Sequence, residues 1–139
     1  MSAPRVLFVC VKNGGKSQMA AGLMRAAAAK HPDAPVTVAS AGTRAGSALN
    51  AQSVQSLAEV GVDLTDQHPR QLTDDMVTAA DLVVVVGAEA RVDPADGTPI
   101  EVWETDEPSQ RGIEGMDRMR LVRDDIAARV EDLHQRLTS

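Results

Sequence analysis

Short apolar runs alternate with helix-favouring segments along the chain, and this order predicts the fold. Continuous apolar runs at Val6–Val9 (VLFV) and Leu82–Val86 (LVVVV) have the pattern of strands that are buried on both faces. Val36–Ala41 (VTVASA), which Gly42 stops, is a further predicted strand, and Ile100–Trp103 is a weaker one.

Four segments between and after these strands carry helical signals. Ser17–Lys30 is dense in Ala, Met and Leu, and Gly115–Leu137 places apolar residues at mostly three- and four-residue spacing with charges between them. Asn50–Val60 begins with a capping residue and is closed by Gly61. A shorter helix is predicted from about Thr73 to Ala80.

The alternation of strands and helices predicts a parallel sheet that is covered on both faces, because a parallel crossover needs a helix-length connection. The predicted fold class is therefore α/β, a three-layer sandwich, and 139 residues fit a single domain over residues 1–139. Ligands in such folds bind at the carboxyl ends of the strands. The first strand ends in Val9–Ser17 (VCVKNGGKS), so we expect the functional site there.

Charge and composition narrow the classes of function. The formal net charge of −6 argues against a nucleic-acid or anionic-membrane partner, because no basic field is available to attract either. A signal-peptide pattern and a membrane-length apolar run are both missing, so we expect a cytoplasmic protein. A single cysteine cannot form an internal disulfide, and no cysteine and histidine cluster has metal-site spacing.

The single cysteine, Cys10, lies between a predicted strand and a glycine-rich turn that opens a helix. Backbone N–H groups in such a turn point into one cavity, and the helix dipole adds positive potential there. This field favours the thiolate, so we expect Cys10 to attack the centre of a bound tetrahedral oxyanion while Lys16 stabilises the charge that develops. Ser17 is expected to cap the helix. The predicted oxyanion-binding residues are Val11, Lys12, Asn13, Gly14, Gly15, Lys16 and Ser17.

Two other interpretations of this segment exist. A lone cysteine after a buried strand is more often a small core residue than a nucleophile. A nucleotide-binding phosphate loop needs four residues between its first glycine and a Gly-Lys-Ser/Thr triplet, and Cys10 stands where that first glycine should be.

The segment from Cys10 to Ala20 resembles the anion loop of the low-molecular-weight protein tyrosine phosphatases and of the related arsenate reductases. Cys10, Asn13 and Lys16–Ala20 are similar to the arsenate reductase pattern Cys-x-x-Asn-x-x-Arg-Ser-Gln-Met-Ala, with Lys in place of Arg. Further similar segments are Ser40–Thr43, His68 with Arg70, Trp103–Pro108 and Arg118–Val130. The resemblance implies a four-stranded parallel sheet flanked by helices.

The cysteine count decides which branch the chain resembles. Thioredoxin-coupled arsenate reductases use a relay of three cysteines, whereas Gly15 and the Gly87–Asp96 loop offer none here. The chain is more similar to the single-cysteine arsenate-mycothiol transferases, which share Cys-Val-x-Asn-Gly-Gly-Lys-Ser-Gln-Met-Ala-Ala. This resemblance implies that arsenate is joined to mycothiol, a co-substrate rather than a bound cofactor. A mycoredoxin or another glutaredoxin-like partner then releases arsenite.

Mycothiol is preferred over glutathione because Arg outnumbers Lys and the chain is rich in Ala, Val and Gly, which is typical of the high-GC bacteria that make mycothiol.

The segment before the last helix supplies the predicted catalytic acid. The phosphatases have an Asp immediately before a Pro, whereas here Glu107 precedes Pro108 and Asp106 lies one residue earlier. Either carboxylate is a candidate to protonate the departing oxygen. The predicted catalytic residues are Cys10, Lys16, Asp106 and Glu107.

Two alternatives remain open. Lys16 lacks the planar fork with which arginine holds two phosphoryl oxygens, so tyrosine phosphatase activity is the second choice. The chain also has no Tyr to sandwich an aromatic substrate. A non-catalytic oxyanion-binding module on the same fold is the third.

Overall fold

Four parallel strands form the central sheet of the computed structural model, which describes residues 3–93 and 97–139. Their spatial order is β2-β1-β3-β4, with β1 at Arg5–Cys10, β2 at Thr37–Gly42, β3 at Leu82–Val86 and β4 at Ile100–Trp103. All three strand pairs are parallel, which confirms the predicted sheet. The predicted Gly87–Asp96 loop is described only as far as residue 93, and residues 94–96 lie outside the described residues.

Helices cover both faces of this sheet. They are α1 (Lys16–Ala29), α2 (Ala51–Ala58), α3 (Asp74–Ala79) and α4 (Gly115–Thr138), and a short 3₁₀ helix spans Pro108–Arg111. Alternate residues of β1 face opposite sides, since Phe8 packs with α1, α2 and α4 whereas Leu7 packs with Val77 of α3. The layers are therefore helix, sheet and helix, as predicted.

Capping side chains explain where two of the helices begin. The Asn50 side chain accepts a hydrogen bond from the Ser53 N–H at 3.0 Å, which confirms the predicted cap of α2. Thr73 caps α3 in the same way through the Met76 N–H. The predicted cap by Ser17 is wrong, because α1 begins at Lys16 with Gly15 in the capping position. Ser17 lies inside the first turn instead, where its hydroxyl is free for another partner.

Among the helices of the described ranges, none is both long enough and apolar enough to cross a membrane.

An ion-pair cluster joins α2 to α4 and makes the stability of the fold pH-dependent. Glu59, at the end of α2, accepts hydrogen bonds from Arg120 Nη2 at 2.8 Å and from Arg123 Nη1 at 2.8 Å. These arginines, Arg120 first, lower the pKa of Glu59 from 4.5 to about 2. A carboxyl group whose pKa is lower in the folded state stabilises the fold above its unfolded pKa, and this contribution is lost as the pH falls through the folded pKa.

We therefore expect Glu59→Gln to lower the urea midpoint of unfolding by a constant amount above about pH 4.5. The difference from wild type should shrink as the pH falls from 4.5 towards 2, because Glu59 gains a proton over this range and then resembles the neutral glutamine. Glu131→Gln is the matched control, since Glu131 forms no ion pair within residues 3–93 and 97–139. A difference that persists unchanged at pH 2 would contradict the assignment.

Candidate active site

A tight loop, residues 11–15, joins the last residue of β1, Cys10, to the first residue of α1. Backbone N–H groups of the segment that follows β2 donate hydrogen bonds to carbonyl oxygens of Cys10 and of this loop. The carbonyl oxygens of residues 10, 11, 12 and 14 accept hydrogen bonds from Thr43, Arg44, Gly46 and Asn50, at N···O distances between 2.7 and 3.0 Å. The loop is thereby fixed with its carbonyls turned outwards.

The N–H groups of this loop are left without acceptors. Within residues 3–93 and 97–139, no N–H of residues 11–15 donates a hydrogen bond. The left-handed backbone of Asn13, with φ at 56°, helps to close the loop, and asparagine tolerates this conformation better than most residues. Unpaired donors at the start of a helix form a binding site for an oxyanion. The predicted binding residues thus lie together around Cys10, although the Lys12 side chain is exposed.

A chain of hydrogen bonds links the Arg70 backbone to the Cys10 sulfur through Asn13 and Ser17. The Arg70 N–H donates to Asn13 Oδ1 at 2.9 Å, which fixes this oxygen as an acceptor and leaves the Asn13 amide to donate. Asn13 Nδ2 donates to Ser17 Oγ at 2.7 Å, so the Ser17 hydrogen is free to point at Cys10 Sγ, 2.8 Å away. The Ser17 hydroxyl thus lies in direct contact with the sulfur that is predicted to act as the nucleophile.

Ser17→Ala tests this chain of hydrogen bonds. We expect the variant to react with iodoacetamide at neutral pH about tenfold more slowly than wild type, because it loses a hydrogen bond to a charged acceptor. Ser53→Ala is the matched control, since Ser53 is also buried close to the loop but bonds to Asn50 and Met119. Equal rates for all three proteins would show that the Ser17 hydroxyl does not act on the sulfur.

Lys16 and Glu107 form an ion pair that joins the first residue of α1, directly after the loop of residues 11–15 (the anion loop), to the segment that follows β4. The Lys16 ammonium also lies against Gly87, at the end of β3, where an added Cβ would be 3.5 Å from Nζ. Gly87 has a φ of +97° and leaves room for this side chain. The ion pair therefore sits at the carboxyl edge of the sheet, beside the loop around Cys10.

Asp106, the other candidate acid, is held by a different partner. Both nitrogens at the end of the Arg111 side chain donate to its carboxylate, at 2.7 and 3.2 Å. The Arg111 guanidinium thus holds the pKa of Asp106 below its usual range. A general acid at neutral pH needs the opposite shift. Of the two predicted carboxylates, the structure brings Glu107 to Lys16 and leaves Asp106 paired with Arg111.

Several residues of the site escaped the sequence analysis. Gln18 donates through Nε2 to Asn13 Oδ1 and to the His68 carbonyl, and so ties the loop to the segment that ends at Arg70. Arg111 and Gly87 set the surroundings of Asp106 and Lys16. The only sequence signal for them was their position after predicted strands or within the resemblance, because their partners lie far away along the chain.

Comparison with known proteins adds independent findings. The family model for low molecular weight phosphotyrosine protein phosphatase matches residues 5–98. A putative arsenate reductase from Halobacterium salinarum is 30% identical over 127 residues, which cover 91% of this chain and 87% of that protein. An arsenate reductase from Bacillus licheniformis is 32% identical over 140 residues, which cover 94% of this chain and 95% of that protein.

Among solved structures, the thioredoxin-dependent arsenate reductase of Corynebacterium glutamicum superposes with a TM-score of 0.78 at 31% identity. The match covers 97% of this chain but only 62% of that chain, so this chain spans less than two thirds of its length.

Proposed function

This chain belongs to the family of low molecular weight phosphotyrosine protein phosphatases, and we propose that it detoxifies arsenate as an arsenate-mycothiol transferase. The observation that carries the proposal is the position of Cys10, the only cysteine of the sequence, directly before a loop whose N–H groups donate no hydrogen bond within the described parts of the chain. The two arsenate reductase relatives, which match over nine tenths of the chain, support arsenate as the oxyanion.

The proposed reaction begins when arsenate binds to the N–H groups of residues 11–15. The Cys10 thiolate then either displaces an oxygen from arsenic or orients and activates the arsenate for the outside thiol. Mycothiol then forms a sulfur–arsenic bond and displaces the Cys10 thiolate, where Cys10 has bonded to arsenic, or otherwise an oxygen. On either route arsenate loses one oxygen as water overall, and this water takes up the proton that the mycothiol thiol loses. A mycoredoxin thiol next attacks the mycothiol sulfur. Arsenite leaves with two electrons, and the two thiols end as a mixed disulfide.

We assign the transfer of this proton to Glu107. Its carboxylate pairs with Lys16 beside the loop, whereas Asp106 is committed to Arg111 and has a lowered pKa. As a carboxylate, Glu107 would take the proton from the mycothiol thiol and pass it to the oxygen that leaves, and its contact with Lys16 beside the loop supports this role.

A reconstituted assay tests the proposed co-substrates. We expect arsenite only when mycothiol and a mycoredoxin are supplied together with arsenate, because a chain with one cysteine cannot resolve its own adduct. Thioredoxin with its reductase, and glutathione with a glutaredoxin, are the comparison reactions. Equal arsenite formation with glutathione would overturn the assignment to mycothiol, and formation with thioredoxin alone would overturn the transferase mechanism.

Tyrosine phosphatase activity is the second candidate, favoured by the Glu107 carboxylate beside an anion loop that contains a cysteine. It predicts turnover of an aryl phosphate without any added thiol, in the same preparation. Lys16 argues against it, since a single ammonium already paired with Glu107 replaces a fork of two donors. A non-catalytic module would instead bind phosphate and turn over neither substrate.

A further inference from the structure

We propose that Glu107 makes the anion loop selective for an oxyanion that carries a proton, such as hydrogen arsenate or hydrogen phosphate, over a fully deprotonated one such as sulfate. The inference deepens the proposed function, on which its choice of ligand rests. It concerns binding alone, so it can be tested apart from turnover.

The Lys16 ammonium group already has a counter-ion, the Glu107 carboxylate. The Lys16 and Glu107 side chains are only 17% and 30% exposed, so their pairing is partly shielded from water. An anion that enters the loop therefore meets an ion pair rather than a free ammonium group. The positive potential that remains comes mainly from the backbone N–H groups and the start of α1.

The Glu107 carboxylate limits which oxyanions can bind beside it. An ionised carboxylate has acceptors and no donor, so it can hydrogen-bond only to an oxyanion that has an O–H group. Hydrogen arsenate and hydrogen phosphate have one at neutral pH, and sulfate has none. A sulfate beside Glu107 would place acceptor against acceptor and charge against like charge. A site built around such a hydrogen bond rejects the analogue that lacks the donor.

The neighbouring charged groups do not replace Glu107 in this role. Asp106, next in the chain, directs its carboxylate oxygens to Arg111. Glu89 is exposed, and one of its oxygens would be 3.7 Å from a Cβ added at Gly87, so it lies at the outer edge of the site. Lys12 is exposed, and no ion pair joins it to Glu107 within residues 3–93 and 97–139. Glu107 is the carboxylate that contacts Lys16 directly.

The experiment compares the binding of inorganic phosphate and sulfate to the full chain by titration calorimetry at pH 6. We expect wild type to prefer phosphate by at least about tenfold. Glu107→Gln, which exchanges an acceptor for an amide that also donates, should reduce this preference about tenfold through tighter sulfate binding. Asp106→Asn removes the adjacent charge and serves as the matched control, with the wild-type preference expected.

Phosphate binding by the Glu107→Gln protein shows that it is folded. An unchanged preference in Glu107→Gln would overturn the inference, because it would mean that Glu107 moves away when the anion binds. An equal change in Asp106→Asn would also overturn it, since net charge alone would then explain the effect. If the selectivity appears as expected but arsenate is not reduced, the proposed function fails and the inference stands.

Discussion

Cys10→Ser is expected to lower arsenite formation by about 10⁴-fold or more in the complete system with mycothiol and mycoredoxin. A serine hydroxyl is not ionised at neutral pH, and the donor from Ser17 cannot make it a comparable nucleophile. The loss should appear in the rate of arsenite release at saturating mycothiol, measured against the wild-type protein in the same preparation of partners.

The same variant separates catalysis from binding. The N–H donors of residues 11–15 do not depend on the sulfur, so Cys10→Ser should still bind phosphate within a few-fold of wild type. Arsenite formation at more than a few per cent of the wild-type rate would mean that mycothiol attacks arsenate with no help from the sulfur. The loop would then only bind and polarise arsenate through its N–H groups, and the transferase mechanism would need no thiol on the protein.

Strands β1 and β3 were predictable from the sequence because parallel strands that are buried on both faces consist of unbroken apolar runs. The boundaries of β3 and β4 match the predicted ones, and β1 extends the predicted Val6–Val9 by one residue at each end. The sequence also predicted where the candidate site lies in the fold, since a glycine-rich turn after a buried strand of a parallel sheet lies at the edge where such sheets bind ligands. Both predictions depend on residues that are close to one another in the sequence.

The side-chain partners within the site were not predictable in the same way. Lys16 and Glu107 are 91 positions apart, and nothing local indicates that they meet. The choice between Asp106 and Glu107 depends on Arg111, which the short 3₁₀ helix turns back onto Asp106. Ser17 was predicted to cap α1 because serine is common at the capping position of helices. Its hydroxyl instead forms hydrogen bonds with Asn13 and Cys10.

Gly42→Ala is expected to weaken phosphate binding by about 100-fold, although the residue touches no reacting atom. Gly42 ends β2 beside Cys10, and a Cβ there would lie 2.6 Å from the Val11 carbonyl oxygen and 2.9 Å from the Lys12 carbonyl carbon. Those atoms are backbone, so they cannot rotate away. Gly42 itself is held on both sides, because its N–H donates to Arg70 and its carbonyl accepts from Leu72. The anion loop must therefore move, and its N–H groups can no longer all point at the same bound anion.

Gly46→Ala is the matched control, because it adds the same methyl group next to the same loop without a steric clash. Gly46 also contacts the loop, through its N–H to the Lys12 carbonyl, but a Cβ at Gly46 would lie 3.7 Å from the Lys12 Cβ, which is ordinary contact. We expect Gly42→Ala to lower the free energy of unfolding by about 1–3 kcal/mol and Gly46→Ala to change it by less than about 0.5 kcal/mol. Similar phosphate affinities in the two variants would mean that the loop adapts without losing its donors. The binding of the oxyanion would then depend on Lys16 and the start of α1 rather than on a fixed ring of N–H groups.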